Sequence, residues 1–285
     1  MSIAYLNGEY LPLTEARISP LDRGFLFGDG LYEVIPSYGG KLVGFSAHIQ
    51  RFQSGMQTIQ LKHDWTEQQW REVVTSLIEQ NGSGDLGVYI HISRGADTKR
   101  LHAFPDNVTP TVFLFTYELP PAPSADLAKA KGLRVVSSED MRWQHCNIKT
   151  TSLLGNVLHY QQGFAKGVNE TILFNQQQQL TEASSCNVFI VKNGVIKTPP
   201  LDNHLLPGIT RYMLLDILRK DGSIEVQECA ISMDQVRDAD EVWLTSSSKD
   251  IAPVIELDGQ PVADGKIGPM WLRAMQIYTQ HKFSY

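Results

Sequence analysis

Apolar and polar positions alternate along "AYLNGEYLPL", and the Asn7-Gly8 pair in its middle is a hairpin signal, so the chain is expected to open with two short antiparallel strands. "GLYEVIPSYGGKLVGF" reads as two more strands joined around Gly39-Gly40. The period then lengthens. A helix is predicted from a Ser46 cap through "AHIQRFQSGMQTI", and a second from Thr66, where Thr66 and Gln69 form a capping box before "WREVVTSLI". "GVYIHIS" and "TVFLFTYEL" return to strand character.

"PPAPSAD", residues 120–126, sets three prolines among small residues, and proline lacks the amide a central strand needs, so this stretch reads as a linker between domains spanning 1–119 and 127–285. Beyond it come the strand "LRVVSS", a helix after Lys149, strands "ETILF" and "CNVFIVKNGVIK", and a helix from "GITRYMLLDILRK". "IEVQECAI", "EVWLTSS" and "PVIELDG" are further strands, and "PMWLRAMQIYTQHKF" is a closing helix. The glutamine run at 176–179 reads as a polar hairpin turn. Strands cluster and do not alternate strictly with helices, which predicts a smaller and a larger α+β domain.

Charge narrows the function. The formal net charge is −6 with no basic run, which disfavours nucleic acid as a partner. No apolar stretch approaches the roughly 20 residues of a membrane span, and the N-terminus has no signal-peptide pattern. The three cysteines, Cys146, Cys186 and Cys229, show no CxxC spacing, so neither a disulfide framework nor a metal site is expected, and a cytoplasmic setting fits.

Candidate chemistry lies in quiet features, because no Walker A loop, GxGxxG, HExxH or GxSxG is present. Lys149 in "NIKTTSLLGN" reads either as a solvated lysine or as a nucleophile whose burial favours the neutral amine. Glu182 in "LTEASSCNVFIV" reads as a surface acid or as the partner of a buried cation. "LLPGITR" opens a helix whose free amides suit a phosphate, and "WLTSSSKD" offers hydroxyls to an anion; each also reads as an ordinary cap or turn. His145-Cys146 suggests a thiol nucleophile only weakly, since a Cys–His dyad normally comes from separated segments.

A lysine for a Schiff base, a carboxylate for a ring-nitrogen cation and donors for a phosphate monoester are together what pyridoxal 5′-phosphate requires. "RGFLFGDGLYEV", "HIQRF", "NIKTTSLLGN", "LTEASSCNVF", "LLPGITR" and "SSSKDIAPVIELDG" resemble, in the same order, the fold-type IV aminotransferases, the family of D-amino acid and branched-chain aminotransferases. The resemblance implies a homodimeric pyridoxal phosphate enzyme with its cofactor in an interdomain cleft. It gives Lys149 the Schiff base and Glu182 the pyridine nitrogen, sets Arg51, Ile209, Thr210 and Ser247 around the phosphate, and packs Leu206 on the ring.

One lysine serves one face of a planar adduct, so the handedness of the substrate is set by where its carboxylate is clamped. Arg100 and His102 in "SRGADTKRLHAFPDN", with Tyr32 from "GDGLYEV", resemble the carboxylate trap of D-amino acid aminotransferases. Exchange between a D-amino acid such as D-alanine and a 2-oxo acid such as 2-oxoglutarate is the expected reaction. Branched-chain L-transamination is the alternative, with aminodeoxychorismate lyase and (R)-amine transaminase activities behind it. "EASSCN" departs from the D-alanine subgroup at Ala183 and Ser184, the stretch from Arg94 to Arg100 is one residue longer than expected there, and "LPGITR" is closer to branched-chain members.

Overall fold

A computed structural model describes residues 2–82 and 84–285, and its chain divides into two compact α+β units. The first unit runs through Ala122 and takes back Ile148–Leu153; the second comprises Pro123–Asn147 and Leu154–Ser284. The boundary at 122/123 falls inside the proline-rich stretch, but the lysine segment, placed by sequence within 127–285, groups with the first unit.

The first unit contains β1 (Ile3–Leu6), β2 (Glu9–Pro12), α1 (Arg23–Phe27), β3 (Gly30–Tyr38), β4 (Lys41–Leu42), α2 (Phe45–Thr58), α3 (Glu67–Asn81), β5 (Leu86–Ser93) and β6 (Thr111–Glu118). Its strands form one antiparallel sheet in the order β2-β1-β6-β5-β3-β4. Both hairpin signals are used: Asn7 and Gly8, like Gly39 and Gly40, have positive φ. Phe45, Ile49, Phe52 and Met56 of α2 and Trp70, Val74 and Leu77 of α3 pack on Ile35, Val88, Ile90 and Leu114 of the sheet. The predicted Ser46 cap is corrected. Gly44 is the N-cap, and Ser46 sits in the first turn of α2, where its hydroxyl donates to Glu67 at 2.6 Å. The Thr66–Gln69 capping box forms as expected.

The second unit contains β7 (Leu133–Glu139), α4 (Leu154–Ala165), β8 (Glu170–Phe174), β9 (Leu180–Ala183), β10 (Asn187–Lys192), β11 (Val195–Thr198), α5 (Ile209–Asp221), β12 (Val226–Glu228), α6 (Met233–Arg237), β13 (Glu241–Ser246), β14 (Asp250–Leu257), β15 (Gln260–Pro261) and α7 (Pro269–His281). Nine strands make a mixed sheet, in the order β12-β11-β10-β13-β14-β7-β8-β9 with β15 on β14. Its parallel pairs are β11/β12, β14/β7 and β7/β8. α4 lies close on β8 because Gly163 has no side chain: a Cβ there would stand 2.8 Å from Thr171 Oγ1. α1, α6 and β9 are too short to leave a periodic signature, and sequence reading missed all three.

Gly28 bears directly on the lysine segment. It ends α1 at φ +66, and a Cβ there would lie 2.2 Å from Ser152 Oγ. Gly39 has φ +56 with open space around it. Gly39→Ala is therefore expected to cost about 1 kcal/mol from conformation alone, and Gly28→Ala distinctly more, about 2–3 kcal/mol, because the clash adds to it. Urea unfolding of both variants checks this; equal losses would show that Ser152 yields freely.

Candidate active site

In the first unit, Lys149 is held by backbone pairing beside β3. Tyr32 N donates to Lys149 O at 3.1 Å, and Thr151 N donates to Gly30 O at 3.0 Å. Thr151 and Ser152 hydroxyls both bond to Gly28 O. The lysine is half-buried, with its Nζ 4.1 Å from the centroid of the Tyr32 ring, so the structure brings these two expected site residues together. Tyr32 in turn stacks on Tyr89 at 5.7 Å.

Adjacent to Tyr32 on β3, Glu33 is fully buried and faces α2. Arg51, one of the expected phosphate ligands, donates from Nε and Nη2 to this carboxylate at 2.7 Å each, and His48 Nδ1 lies 2.7 Å from the same group. Burial alone would raise the Glu33 pKa; the Arg51 guanidinium and the His48 ring outweigh it and hold the carboxyl well below the usual range. Burial likewise lowers the His48 pKa, against the pull of Glu33. The guanidinium of Arg51 is thus fixed in direction by a carboxylate that sequence reading did not single out.

Arg100 and His102 are exposed, and the structure brings them to one ring: the Arg100 guanidinium carbon is 5.2 Å from the Phe27 centroid, and the His102 ring 5.3 Å. Their loop is pinned from below. Arg23 donates to Leu101 O at 2.5 Å and His102 O at 3.2 Å, while its Nε meets Asp29. Arg94 makes two further bonds to the same Asp29. Burial works to raise the Asp29 pKa, and the two arginines bring it below its ordinary value.

In the second unit, Glu182 lies on β9, 5% exposed, surrounded by donors. Arg142 Nη1 reaches its Oε1 at 2.5 Å; Asn187 Nδ2 and the backbone N of Leu206 reach Oε2 at 3.2 and 3.0 Å. Burial pushes the carboxyl up to about 7 against the pull of Arg142, so a further cation at this group would favour its ionised form. Arg142 also binds Asp140 through two nitrogens and His204 O. Asn187 ties the carboxylate to Leu206 O at 2.8 Å, and Gly208 allows this approach, since a Cβ there would meet Asn187 Oδ1 at 2.0 Å.

The same segment runs into α5. Its N-cap is Gly208, with no side-chain cap, so the first-turn amides at Ile209 and Thr210 have no capping side chain and suit an anion. Ser247 occupies the turn between β13 and β14. Within this unit Glu182, Leu206, Ile209 and Thr210 are therefore linked through Asn187 and one short stretch of chain. A buried acid short of a cation, a close-approach glycine and an uncapped helix start fit the pyridinium and phosphate of pyridoxal phosphate. Among the described residues no cluster of His, Cys, Asp and Glu is arranged for a metal.

Glu170 and Cys146 are also buried in this unit. Glu170, fully buried, accepts from the hydroxyls of Ser184 and Ser185, so the hydroxyl of Ser184 holds the turn after β9. Cys146 is buried, its Sγ donates to Trp143 O, and burial pushes its thiol up to about 12, which is the opposite of a nucleophile.

Arg142 carries the largest electrostatic load of this unit. Arg142→Met strands two buried carboxylates and is expected to cost about 3–5 kcal/mol in urea unfolding. Asp140→Asn in the same chain should return part of the loss. A double variant no more stable than the single one would show that the network does not act through charge.

Comparison with known proteins follows the same lines. The class IV aminotransferase sequence family matches residues 30–257. A D-alanine aminotransferase of Staphylococcus aureus (strain MW2) is 38% identical over 273 residues, covering 95% of this chain and 94% of the relative. One from Staphylococcus haemolyticus is 36% identical over 282 residues, with 99% and 98% covered. Among solved structures, the T.th. branched-chain amino acid aminotransferase complexed with N-(5′-phosphopyridoxyl)-L-glutamate superposes with a TM-score of 0.89 at 25% identity, over 99% of this chain and 94% of that one. The Escherichia coli branched-chain enzyme, at 23% identity, shares the fold with a TM-score of 0.89 over 98% and 94%. The order of strands and helices, the lysine and glutamate segments and these matches converge: the chain belongs to the class IV aminotransferases, enzymes that use pyridoxal phosphate.

Proposed function

We propose that this aminotransferase exchanges the amino group of a D-amino acid, with D-alanine the favoured donor, for the oxo group of a 2-oxo acid such as 2-oxoglutarate. The observation that carries the reading is the Arg100–His102 pair, both set against Phe27 on a loop pinned through Asp29. Such a pair presents a guanidinium fork and an imidazole N–H to a carboxylate. The D-alanine aminotransferases at 34–38% identity over nearly the whole chain support it. Branched-chain L-transamination is the second reading, favoured by the likeness to the T.th. branched-chain enzyme.

When bound, pyridoxal phosphate supplies an electrophilic aldehyde and a ring that accepts electrons. Lys149 would hold its aldehyde carbon, Glu182 its ring nitrogen, and Arg51, Ile209, Thr210 and Ser247 its phosphate, with Leu206 against the ring. Glu182 keeps a proton on the ring nitrogen, and Arg142 and Asn187 hold that carboxylate in place. Lys149 moves the proton at the substrate Cα as general base and acid. Tyr32, whose ring faces the lysine, keeps that amine beside β3 and offers its phenol to the substrate carboxylate with Arg100 and His102.

We assign the reaction to a homodimer in the cytoplasm. α4 supports the first point: Leu154, Val157, Leu158, Tyr160 and Phe164 are 71, 56, 58, 43 and 64% exposed, an apolar surface too continuous to suit water. The free thiols Cys146, Cys186 and Cys229 support the second.

Addition of D-alanine to the holoenzyme is expected to convert the bound cofactor spectrally, and L-leucine to do so far more slowly. Conversion by L-leucine alone would refute the D-reading. Lys149→Ala should lower turnover at least about 1000-fold, and Arg100→Ala should lower kcat/KM for D-alanine by about 100-fold. Light scattering should give roughly twice the 31.9 kDa of one chain, falling to one chain in Leu158→Glu; a native monomer would end the dimer assignment.

A further inference from the structure

We infer that Lys282 is a positioning residue for the cofactor phosphate, acting through Asp250 on the turn that carries Ser247. The inference rests on the reading of Ser247 as a phosphate contact. β13 ends at Ser246 opposite Asp250, the first residue of β14, so the turn between them is Ser247-Ser248-Lys249, closed by Lys249 N donating to Ser246 O at 3.2 Å. Asp250 adopts φ +50, a left-handed conformation that most side chains disfavour and that Asp and Asn tolerate best.

Here a buried ion pair also fixes the side chain. The Asp250 side chain is 1% exposed and accepts from Lys282 Nζ at 2.7 Å, and Lys282 is itself 1% exposed. Lys282 directly follows α7, and α7 is fastened to the same hairpin at two more points. Trp271 Nε1 donates to Ile251 O at 2.8 Å, and the amides of Met270 and Trp271 donate to the Glu241 carboxylate at the start of β13. An apolar residue would close the end of a core helix at lower cost than an ammonium group. The charge is placed instead on the one side chain that fixes the left-handed step out of the serine turn. A hydroxyl contact to phosphate depends on placement within a fraction of an ångström, which a three-residue turn of two serines and a lysine does not hold by itself.

The test uses the full-length apoprotein, with dissociation constants for pyridoxal 5′-phosphate and for pyridoxal, which lacks the phosphate, from absorbance titration. Lys282→Met is expected to lower the preference for the phosphorylated form at least about tenfold, leaving pyridoxal binding close to that of the unmodified chain. Asp250→Asn combined with Lys282→Met removes both charges, so no bare carboxylate is left to unfold the protein, and should show the same loss. Unchanged preference, or equal weakening of both ligands, overturns the inference. Ser247→Ala separates the two levels. If it lowers the preference and the Lys282 variants do not, the inference about Lys282 alone fails; if it leaves the preference intact, the reading of Ser247 fails and the inference with it.

Discussion

A carboxylate taken out of water must be met by donors, and that constraint organises this enzyme. Asp29 fixes the loop of Arg100 and His102 by gathering Arg23 and Arg94. Glu33 sets the direction of Arg51. Glu182 binds Arg142 on one oxygen and the chain leading into α5 on the other. Glu241 accepts the first amides of α7. In each case the buried acid sits on or next to a strand, and what it holds is a loop, a helix end or a charged side chain. The sheets supply rigidity; the acids convey it outward.

Glu182 differs from the others in one respect. Glu33 is held low by a guanidinium and a ring, while Glu182 rises to about 7 although it also has a guanidinium. Both acids bind Arg142, yet Asp140 is held below its usual range while burial dominates at Glu182. An acid left in this state suits the proposed role of partner to a protonated ring nitrogen.

Long periodic segments were legible in the sequence: α2, α3, α5 and α7 follow from their apolar stripes, and the Asn7-Gly8 and Gly39-Gly40 turns from their residues. Lys149 and Glu182 are singled out by resemblance more than by spacing, because a lone lysine or acid has no period. Glu33, Asp29, Arg142 and Asn187 were not legible. Their partners lie 18, 65, 40 and 19 residues away, and no local pattern records a contact over such separations. The Ser46 cap failed because Gly44, already left-handed at φ 64, starts the helix two residues earlier and frees the serine for Glu67.

The return of Ile148–Leu153 to the first unit makes the proline-rich stretch a poor place to cut. A fragment ending near Ala122 would lack the strand-like segment whose backbone pairs with Gly30 and Tyr32, and would expose the unsatisfied edge of β3. The remaining fragment would carry the lysine on a tether with nothing to lie against. Genetic rearrangements that swap or duplicate one unit must therefore move two separate stretches of the gene together, which binds the two halves to a shared evolutionary history.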